Sequence, residues 1–251
     1  MSFKKLRRFV LFLVWINGLL LLSRDVNAQA YSTDSQLLKR SVDSNIHFYL
    51  ASMGTTSHLY NGNEYIYTNH GIQGTPFFGS NQPIIGKICY DGTVYLDVAL
   101  SYDLSADEVF INNPGQDFSL RLITSKIRYF TILNHTFILF ENDGTTKGDV
   151  PGYGFYDLLH AGKLTVLAKR MKRVTEAFKT EDAPHYQQYD SYILRKNNTF
   201  YNIDSKRQLL DLFDDKKEIM KKFYKKNGFN FKKDREMVLV KMAEYYSQLN
   251  E

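Results

Sequence analysis

The strongest constraint on the fold is a series of short apolar runs separated by turn-forming pairs between residues 84 and 204. The runs are rich in Val, Ile, Tyr and Phe, and the pairs are Asp91-Gly92, Asn134-His135, Ala161-Gly162 and Asn197-Asn198. Gly, Asn and Asp adopt positive φ at low steric cost, which two-residue hairpin turns require. Successive hairpins of this kind predict an antiparallel β-meander or a partly closed barrel.

The first hairpin concentrates tyrosines and carboxylates, and it raises the question whether they form a site. Strict alternation after Asp91-Gly92 predicts two faces, one with Val94, Leu96, Val98 and Leu100 and the other with Tyr95, Asp97, Ala99 and Ser101. Asp97 therefore points away from the Val/Leu face, and Asp103 continues the Asp97 face. Nothing in this pattern makes two carboxylates converge. The sequence therefore predicts a structural hairpin here.

Helical periodicity flanks the β region on both sides. Residues 34–53 predict an N-terminal helix, and the capping-box patterns that start at Ser205 and Asp215 predict two short helices before a last one at 233–249. The expected fold is α+β in a single domain spanning 29–251. Its expected parts are an N-terminal helix and connection (29–62), a β-meander (63–204) and a C-terminal helical cap (205–251).

The first residues match an export signal. A basic start precedes an apolar run at 9–22, and Val26 and Ala28 occupy the small-residue positions of a cleavage site before Gln29. Cleavage after Ala30 fits nearly as well. The run is about 14 residues long, short of the ~20 that a spanning helix needs, so an uncleaved anchor is the less favoured alternative. We expect 1–28 to be a cleaved signal peptide.

Removal of this segment changes the charge balance. The whole chain has 32 basic and 27 acidic residues, a net charge of +5. Residues 1–28 hold five basic residues and one acid, which leaves 27 basic against 26 acidic residues and a net charge of +1. A nucleic-acid partner is therefore not predicted. Cys89 is the only cysteine, so no intramolecular disulfide can form.

Motifs for catalysis, metals or cofactors are missing. The six histidines are scattered, no H-E-x-x-H or G-x-S-x-G occurs, and Cys89 is expected to be a buried apolar residue. Two weaker sets of residues keep a hydrolase as an alternative: Glu181, Asp182, His185 and Asp190 in an expected loop, and His58, Glu64 and His70 around the Asn/Gly-rich connection. The sequence predicts no cofactor and no metal, and favours a protein that is not an enzyme.

The densest charge feature is a lysine cluster near the C-terminus, which we call the lysine face. It comprises Lys216, Lys217, Lys221, Lys222, Lys225, Lys226, Lys232 and Lys233. The lysines surround an apolar stripe of Ile219, Met220, Phe223 and Tyr224. The favoured interpretation is a solvated helix face whose lysine stems cover the edge of the core. The alternative is contact with anionic lipid headgroups, lipopolysaccharide or an acidic partner.

Several strings together resemble a family of exported envelope proteins from bacteria with an outer membrane. They are "LYNGNEY", "GTPFF", "YDGTVYLDVALSYDL", "GYGFYDLLHAGKL", "SKRQLLDLFDDKKEIMKKFYKKN" and "LVKMAEYYSQL". The resemblance covers nearly all of the chain after the expected signal peptide. It implies export and a single domain, and it supplies no activity and no catalytic motif.

Three functions follow from these features. The favoured one is a non-catalytic binding or interaction module in the periplasm or at the outer membrane, with an envelope protein or an anionic membrane surface as partner. The second is a carrier of a small apolar ligand such as a lipid, held between the sheet and the helical cap. The third is a hydrolase of unknown substrate.

Overall fold

The computed structural model describes residues 58–60, 63–65, 71–112, 118–176 and 183–249, which belong to one compact unit, Met53–Glu251. The expected signal peptide, its cleavage sites and the expected helix at 34–53 lie outside the described residues. Within the described part of the chain, no helix combines the length and apolarity needed to cross a bilayer.

Twelve strands of the described part of the chain form one sheet. They are β1 Asn63–Tyr65, β2 Ile84–Tyr90, β3 Thr93–Asp103, β4 Glu108–Asn112, β5 Ser119–Arg121, β6 Ile127–Ile132, β7 His135–Phe140, β8 Lys147–Gly148, β9 Gly154–His160, β10 Leu164–Thr175, β11 His185–Lys196 and β12 Thr199–Asn202. Their order is β1-β5-β4-β3-β2-β6-β7-β9-β10-β11-β12-β8, and only the β12–β8 pair is parallel. The α+β class and the antiparallel sheet are confirmed, whereas the sheet is open and the barrel alternative is not observed.

Tight hairpin turns set several of the strand boundaries. Asp91 and Gly92 have φ of 49° and 79°, and Asn197 and Asn198 have φ of 48° and 62°, as the turn chemistry predicts. The β6–β7 turn lies one residue earlier than predicted, because Leu133 and not His135 takes positive φ beside Asn134. His135 is consequently the first residue of β7, and its side chain contacts Asp157 in the neighbouring strand β9.

The prediction of the two faces of β3 is wrong for the residues that precede a β-bulge at Asp97. Asp97 has φ of 53°, and the β2–β3 register skips a residue between the Gly86–Val98 and Ile88–Tyr95 pairs. An extra residue in one strand reverses the alternation beyond it. Tyr95 is therefore buried with Val98, and Leu96 is only half-buried. Asp103 is also buried, at 4% exposure, rather than on a solvent face.

Both carboxylate oxygens of the buried Asp103 accept hydrogen bonds, one set within its own turn and one from β1. One oxygen accepts hydrogen bonds from the backbone amides of Ser105 and Ala106 and from the Ser105 hydroxyl, and the other accepts from Tyr65. Asp103 thus closes the β3–β4 turn as a local hydrogen-bond acceptor. The prediction that this hairpin is structural agrees with these contacts.

Three helices follow the sheet: α1 Lys206–Asp211, α2 Lys217–Lys226 and α3 Arg235–Gln248. Ser205 caps α1 by accepting a hydrogen bond from the Gln208 amide, as predicted. The predicted cap at Asp215 is wrong, since α2 begins at Lys217 without a side-chain cap. The Asp215 carboxylate instead accepts hydrogen bonds from Lys196 and Tyr246, which tie the start of α2 to β11 and α3.

Side chains fill the space between the helices and β9 to β11. The core there combines strand residues such as Leu164, Val166 and Leu194 with Met220 of α2 and with Phe213 between α1 and α2, all essentially without solvent exposure. A second buried cluster, made of Tyr102, Phe130, Phe137 and Phe155, contains ring pairs with centroids 4.9–5.8 Å apart. The backbone amide of Lys172 in β10 also donates to the carbonyl of Leu104 after β3. The end of β3 therefore contacts β10, although β2, β6, β7 and β9 lie between these two strands in the sheet order.

Candidate functional site

The most unusual cluster in the structure surrounds a buried arginine, and we call it the Arg170 cluster. Arg170 in β10 donates to Asp157 in β9 (Nη2–Oδ2 2.7 Å, Nε–Oδ2 3.1 Å). Its Nη1 atom donates to Asp190 in β11 (2.8 Å) and to Glu236 in the first turn of α3 (2.6 Å). One guanidinium thus links three neighbouring strands to the last helix, as the planar five-donor geometry of arginine allows.

Asp157 is the most deeply buried charged group of this cluster, with no solvent exposure. Its Oδ2 atom accepts from Arg170 and also contacts His135 Nδ1 at 2.7 Å. Its Oδ1 atom has no hydrogen-bond partner among the described residues. Because a buried carboxylate is costly without full pairing, the stability of this region depends on the arginine and histidine that face Oδ2.

The charges of the cluster shift the pKa values of its members. Burial by itself would raise the pKa of Glu236, but the hydrogen bond and positive charge of Arg170 outweigh it and lower that pKa. Burial, followed by the negative charges of Glu236 and Asp190, raises the pKa of Tyr192 to about 12. The Tyr192 hydroxyl accordingly stays protonated and donates to Glu236 at 3.1 Å.

The geometry of this cluster supports the positioning of charges. A histidine held by a buried carboxylate is one half of a hydrolytic arrangement. The described contacts of His135, however, are Asp157 and the rings of Phe78 and Phe137, none of which is a nucleophile. Arg170 also engages the same Asp157 oxygen, so the arrangement is that of an ion-pair network that joins sheet and helix.

Acid should weaken this network through Glu236. Because the folded-state pKa of Glu236 lies below its unfolded value, its contribution to stability is present above the ordinary glutamate pKa and is lost as pH falls through the lowered one. The free energy of unfolding can be measured by urea titration at successive pH values. As pH falls through the acid range, we expect it to decrease less steeply for Glu236→Gln than for the wild type. A parallel profile for the variant and the wild type would contradict this assignment.

A groove of about 500 Å³ lies beside the Arg170 cluster at the start of α3. It is lined by Tyr192, Lys233, Asp234, Arg235, Glu236, Met237, Val240 and Lys241. Arg235 stacks over the Tyr192 ring, with its guanidinium carbon 6.0 Å from the ring centroid, and Met237 is 42% exposed. The groove therefore combines cationic and apolar groups at a single helix end.

The structure divides the predicted lysine face into two groups. Lys216 donates to the carbonyl of Leu249, Lys217 pairs with Asp211 at 2.6 Å, and Lys221 pairs with Glu218 at 2.8 Å. The remaining five are exposed and form no ion pair with any other residue that the structure describes: Lys222, Lys225, Lys226, Lys232 and Lys233. We call these five the free lysines.

The predicted apolar stripe of α2 is divided as well. Met220 and Tyr224 are buried in the core between helices and sheet, and Phe223 is half-buried against it. Ile219 is 46% exposed. The lysines therefore surround one exposed apolar side chain rather than a continuous stripe.

The residues of the hydrolase alternative are not brought together within the described part. Asp190 belongs to the Arg170 cluster, and His185 is the exposed first residue of β11, so the expected loop there is a strand. Glu64 is exposed on β1. His70, Glu181, Asp182 and the side chain of His58 lie outside the described residues. Cys89 is buried, as expected, and within the described part no three His, Cys, Asp or Glu residues form a group that could hold a metal.

Sequence reasoning missed Asp157, Arg170, His135 and Glu236 as one cluster. The available indication was a charged residue at an inward position of an apolar strand, as in "FYDLLH" and "LTVLAKRM". Such a residue needs a buried partner, although the pattern does not say which one.

The comparisons with known proteins give no relative from which to transfer a function. No family model matches the chain, and searches of curated proteins and of solved structures likewise found no match. The resemblance to exported envelope proteins therefore stays a prediction.

Proposed function

We propose that this protein is a non-catalytic module of the bacterial cell envelope that binds an anionic membrane surface through its free lysines. The observation that carries the proposal is their exposure without ion pairs on one short stretch of chain, from Lys222 to Lys233. Lysines near an anionic bilayer contribute about 1 kcal/mol each to binding. Export and the envelope location are part of the same proposal.

The arrangement of α2 supports contact with a membrane surface. Ile219, Lys222 and Lys226 follow 3- and 4-residue spacing, which places them on one face of the helix. An exposed apolar side chain between lysines is suited to the headgroup boundary, where the chain enters the apolar layer and the ammonium groups stay near phosphates.

Packing of the helical cap favours a surface role over a carrier role. A carrier needs space between sheet and helices for its ligand. Phe213, Met220 and Leu239 occupy that position with no exposure, together with the inward residues of β10. The described structure thus gives the carrier alternative no support, and the exposed charge becomes the strongest functional feature.

Vesicle binding tests the proposal. We expect the full chain to co-sediment with phosphatidylglycerol/phosphatidylcholine vesicles and to release them as salt screens the charges. Replacing Lys222, Lys225 and Lys226 by Gln should weaken binding by up to about 3 kcal/mol, which is roughly 100-fold.

A charge-matched control separates a local surface from net charge. Lys87→Gln, Arg128→Gln and Lys147→Gln remove the same charge from exposed positions on β2, β6 and β8. Variants and control carry the same residues 1–28, so any contribution of that segment cancels. Equal loss in the lysine variant and the control, or no loss in either, would remove the free lysines as the binding surface.

A further inference from the structure

One strand of the sheet leaves part of its edge open between two paired ends. β11 pairs with β10 over its whole length, from the Thr175–His185 pair to the Leu164–Lys196 pair, without a register shift. On its other edge, β12 pairs only from Ile193 onward. At the opposite end, Gln73 forms a parallel bridge with His185. Residues 187–191 lie between these two neighbours.

The direction of the backbone groups in this window follows from the flanking hydrogen bonds. The Tyr186 amide donates outward to the Gln73 carbonyl at 3.0 Å, and the Tyr192 carbonyl accepts from the Ile203 amide at 3.0 Å. Because these groups alternate along an antiparallel strand, the amides and carbonyls of Gln188 and Asp190 also point outward. No other described strand pairs with them. Among the described residues, the window is therefore an edge whose two outward amides and two outward carbonyls pair with no strand.

This edge lacks three of the devices that usually protect a strand from pairing. It contains no proline, no lysine and no bulge, and its one charged side chain, Asp190, is held by Arg170 on the helix side of the sheet. Tyr189, in the middle of the window, is 42% exposed, with Arg173 over its ring. Open backbone groups next to an exposed aromatic ring are the two elements that strand addition uses for affinity and specificity.

We propose that residues 187–191 accept one short extended strand of a partner polypeptide, which bonds to the backbone of Gln188 and Asp190. The strand carries an aromatic or β-branched side chain opposite Tyr189, because such cross-strand pairs stabilise a sheet. The groove at the start of α3 shares Tyr192 with the end of this window.

The length of the window decides between a partner segment and a second copy of this chain. If β11 of one copy paired edge to edge with β11 of a second copy, each strand would extend beyond the window of the other. It would collide there with β12 or Gln73, which occupy the same edge immediately beyond the window. A five-residue segment meets no such obstacle. We therefore take the occupant to be a short strand from a different polypeptide rather than β11 of a second copy.

Backbone hydrogen exchange tests whether the edge is open. In the free full chain, the amides of Gln188 and Asp190 should exchange at least about 10-fold faster than those of Gln187 and Tyr189, which bond to β10. Protection of Gln188 and Asp190 in the free protein would overturn the proposal. Sedimentation would then show whether a second copy or another part of the same chain fills the window.

A displayed library of random heptapeptides supplies the probe for binding. We expect the enriched peptides to alternate aromatic or β-branched residues and to slow exchange at Gln188 and Asp190. Gln188→Pro removes an outward amide that the fold does not use and should weaken binding by about 10-fold or more. The control variant Arg128→Gln changes an exposed position of β6 outside the window and should bind as the wild type does.

A second variant keeps the test decisive if Gln188→Pro disturbs folding. Tyr189→Lys leaves the backbone unchanged and places a charge beside the window, and it should also abolish peptide binding. Failure to enrich any peptide, or equal binding by the wild type, Gln188→Pro and Tyr189→Lys, would overturn the proposal. Vesicle binding through the free lysines is independent of each of these outcomes.

Discussion

Replacing Arg170 by alanine is expected to lower the free energy of unfolding by about 3–5 kcal/mol, the loss seen when one partner of a buried ion pair is removed. The variant leaves Asp157 without solvent and with His135 as its remaining partner. It also releases Asp190 and Glu236, so that α3 loses its polar link to the sheet. Urea unfolding followed by far-UV circular dichroism measures the change.

Two further arginine variants separate this loss from a general effect of charge. Arg170→Lys keeps the charge but cannot bond to three carboxylates in a fork, so an intermediate loss is expected. Arg195→Ala removes an exposed arginine from β11 and should change stability by less than about 0.5 kcal/mol. A loss below about 1 kcal/mol for Arg170→Ala would show that the cluster does not hold sheet and helix together.

A double-mutant cycle then measures the coupling between Arg170 and Asp157. Asp157→Asn removes the buried charge that makes an unpaired site so costly. We therefore expect Asp157→Asn combined with Arg170→Ala to lose less stability than the sum of the single variants. Additive losses would mean that the two side chains act on separate parts of the fold.

Local patterns predicted the parts of this fold that short-range chemistry determines. Asp91-Gly92 and Asn197-Asn198 form turns because these residues tolerate positive φ, and Ser205 caps α1 because a hydroxyl satisfies a free amide. The same reasoning failed at Asp97, where a bulge reverses the faces of β3. Nothing in the alternation of "TVYLDVALSYD" reveals an extra residue, since the bulge depends on the pairing with β2.

The Arg170 cluster lay beyond sequence reasoning for a different reason. Its members come from β7, β9, β10, β11 and α3, and their convergence depends on a strand order that places β9 between β7 and β10. Asp190 was expected in a polar loop, yet β11 extends back to His185 and brings it beside Arg170. Topology, rather than any local motif, brings these charges together.

The lysine face shows that the density of charge in a sequence does not tell which lysines are paired in the fold. Eight lysines were predicted as one surface, and the structure pairs or bonds three of them within the fold. A sequence gives the density of charge along a helix, but some of the neighbours that neutralise it, such as Asp211 for Lys217, come from another element. The free lysines are therefore the set to mutate.

The second large effect concerns Gly86, which lies in β2 between two neighbouring strands. A Cβ atom at this position would stand 2.2 Å from the backbone oxygen of Thr131 in β6 and 2.9 Å from Ile132 Cγ2. A backbone oxygen cannot move aside without breaking the β2–β6 pairing. We expect Gly86→Ala to lower the free energy of unfolding by about 2–3 kcal/mol, since overpacking costs up to about 3 kcal/mol and the lost chain entropy of glycine offsets less than 1 kcal/mol.

Gly152→Ala provides the matched control, because a Cβ atom there meets nothing within 4 Å. Both variants add one methyl group and restrict the unfolded chain equally, so their difference isolates the contact with Thr131. Thermal and urea unfolding should show Gly152→Ala unchanged or slightly stabilised, and Gly86→Ala clearly destabilised. Equal stability of the two would mean that β2 and β6 are farther apart than the backbone pairing through Lys87 and Thr131 requires.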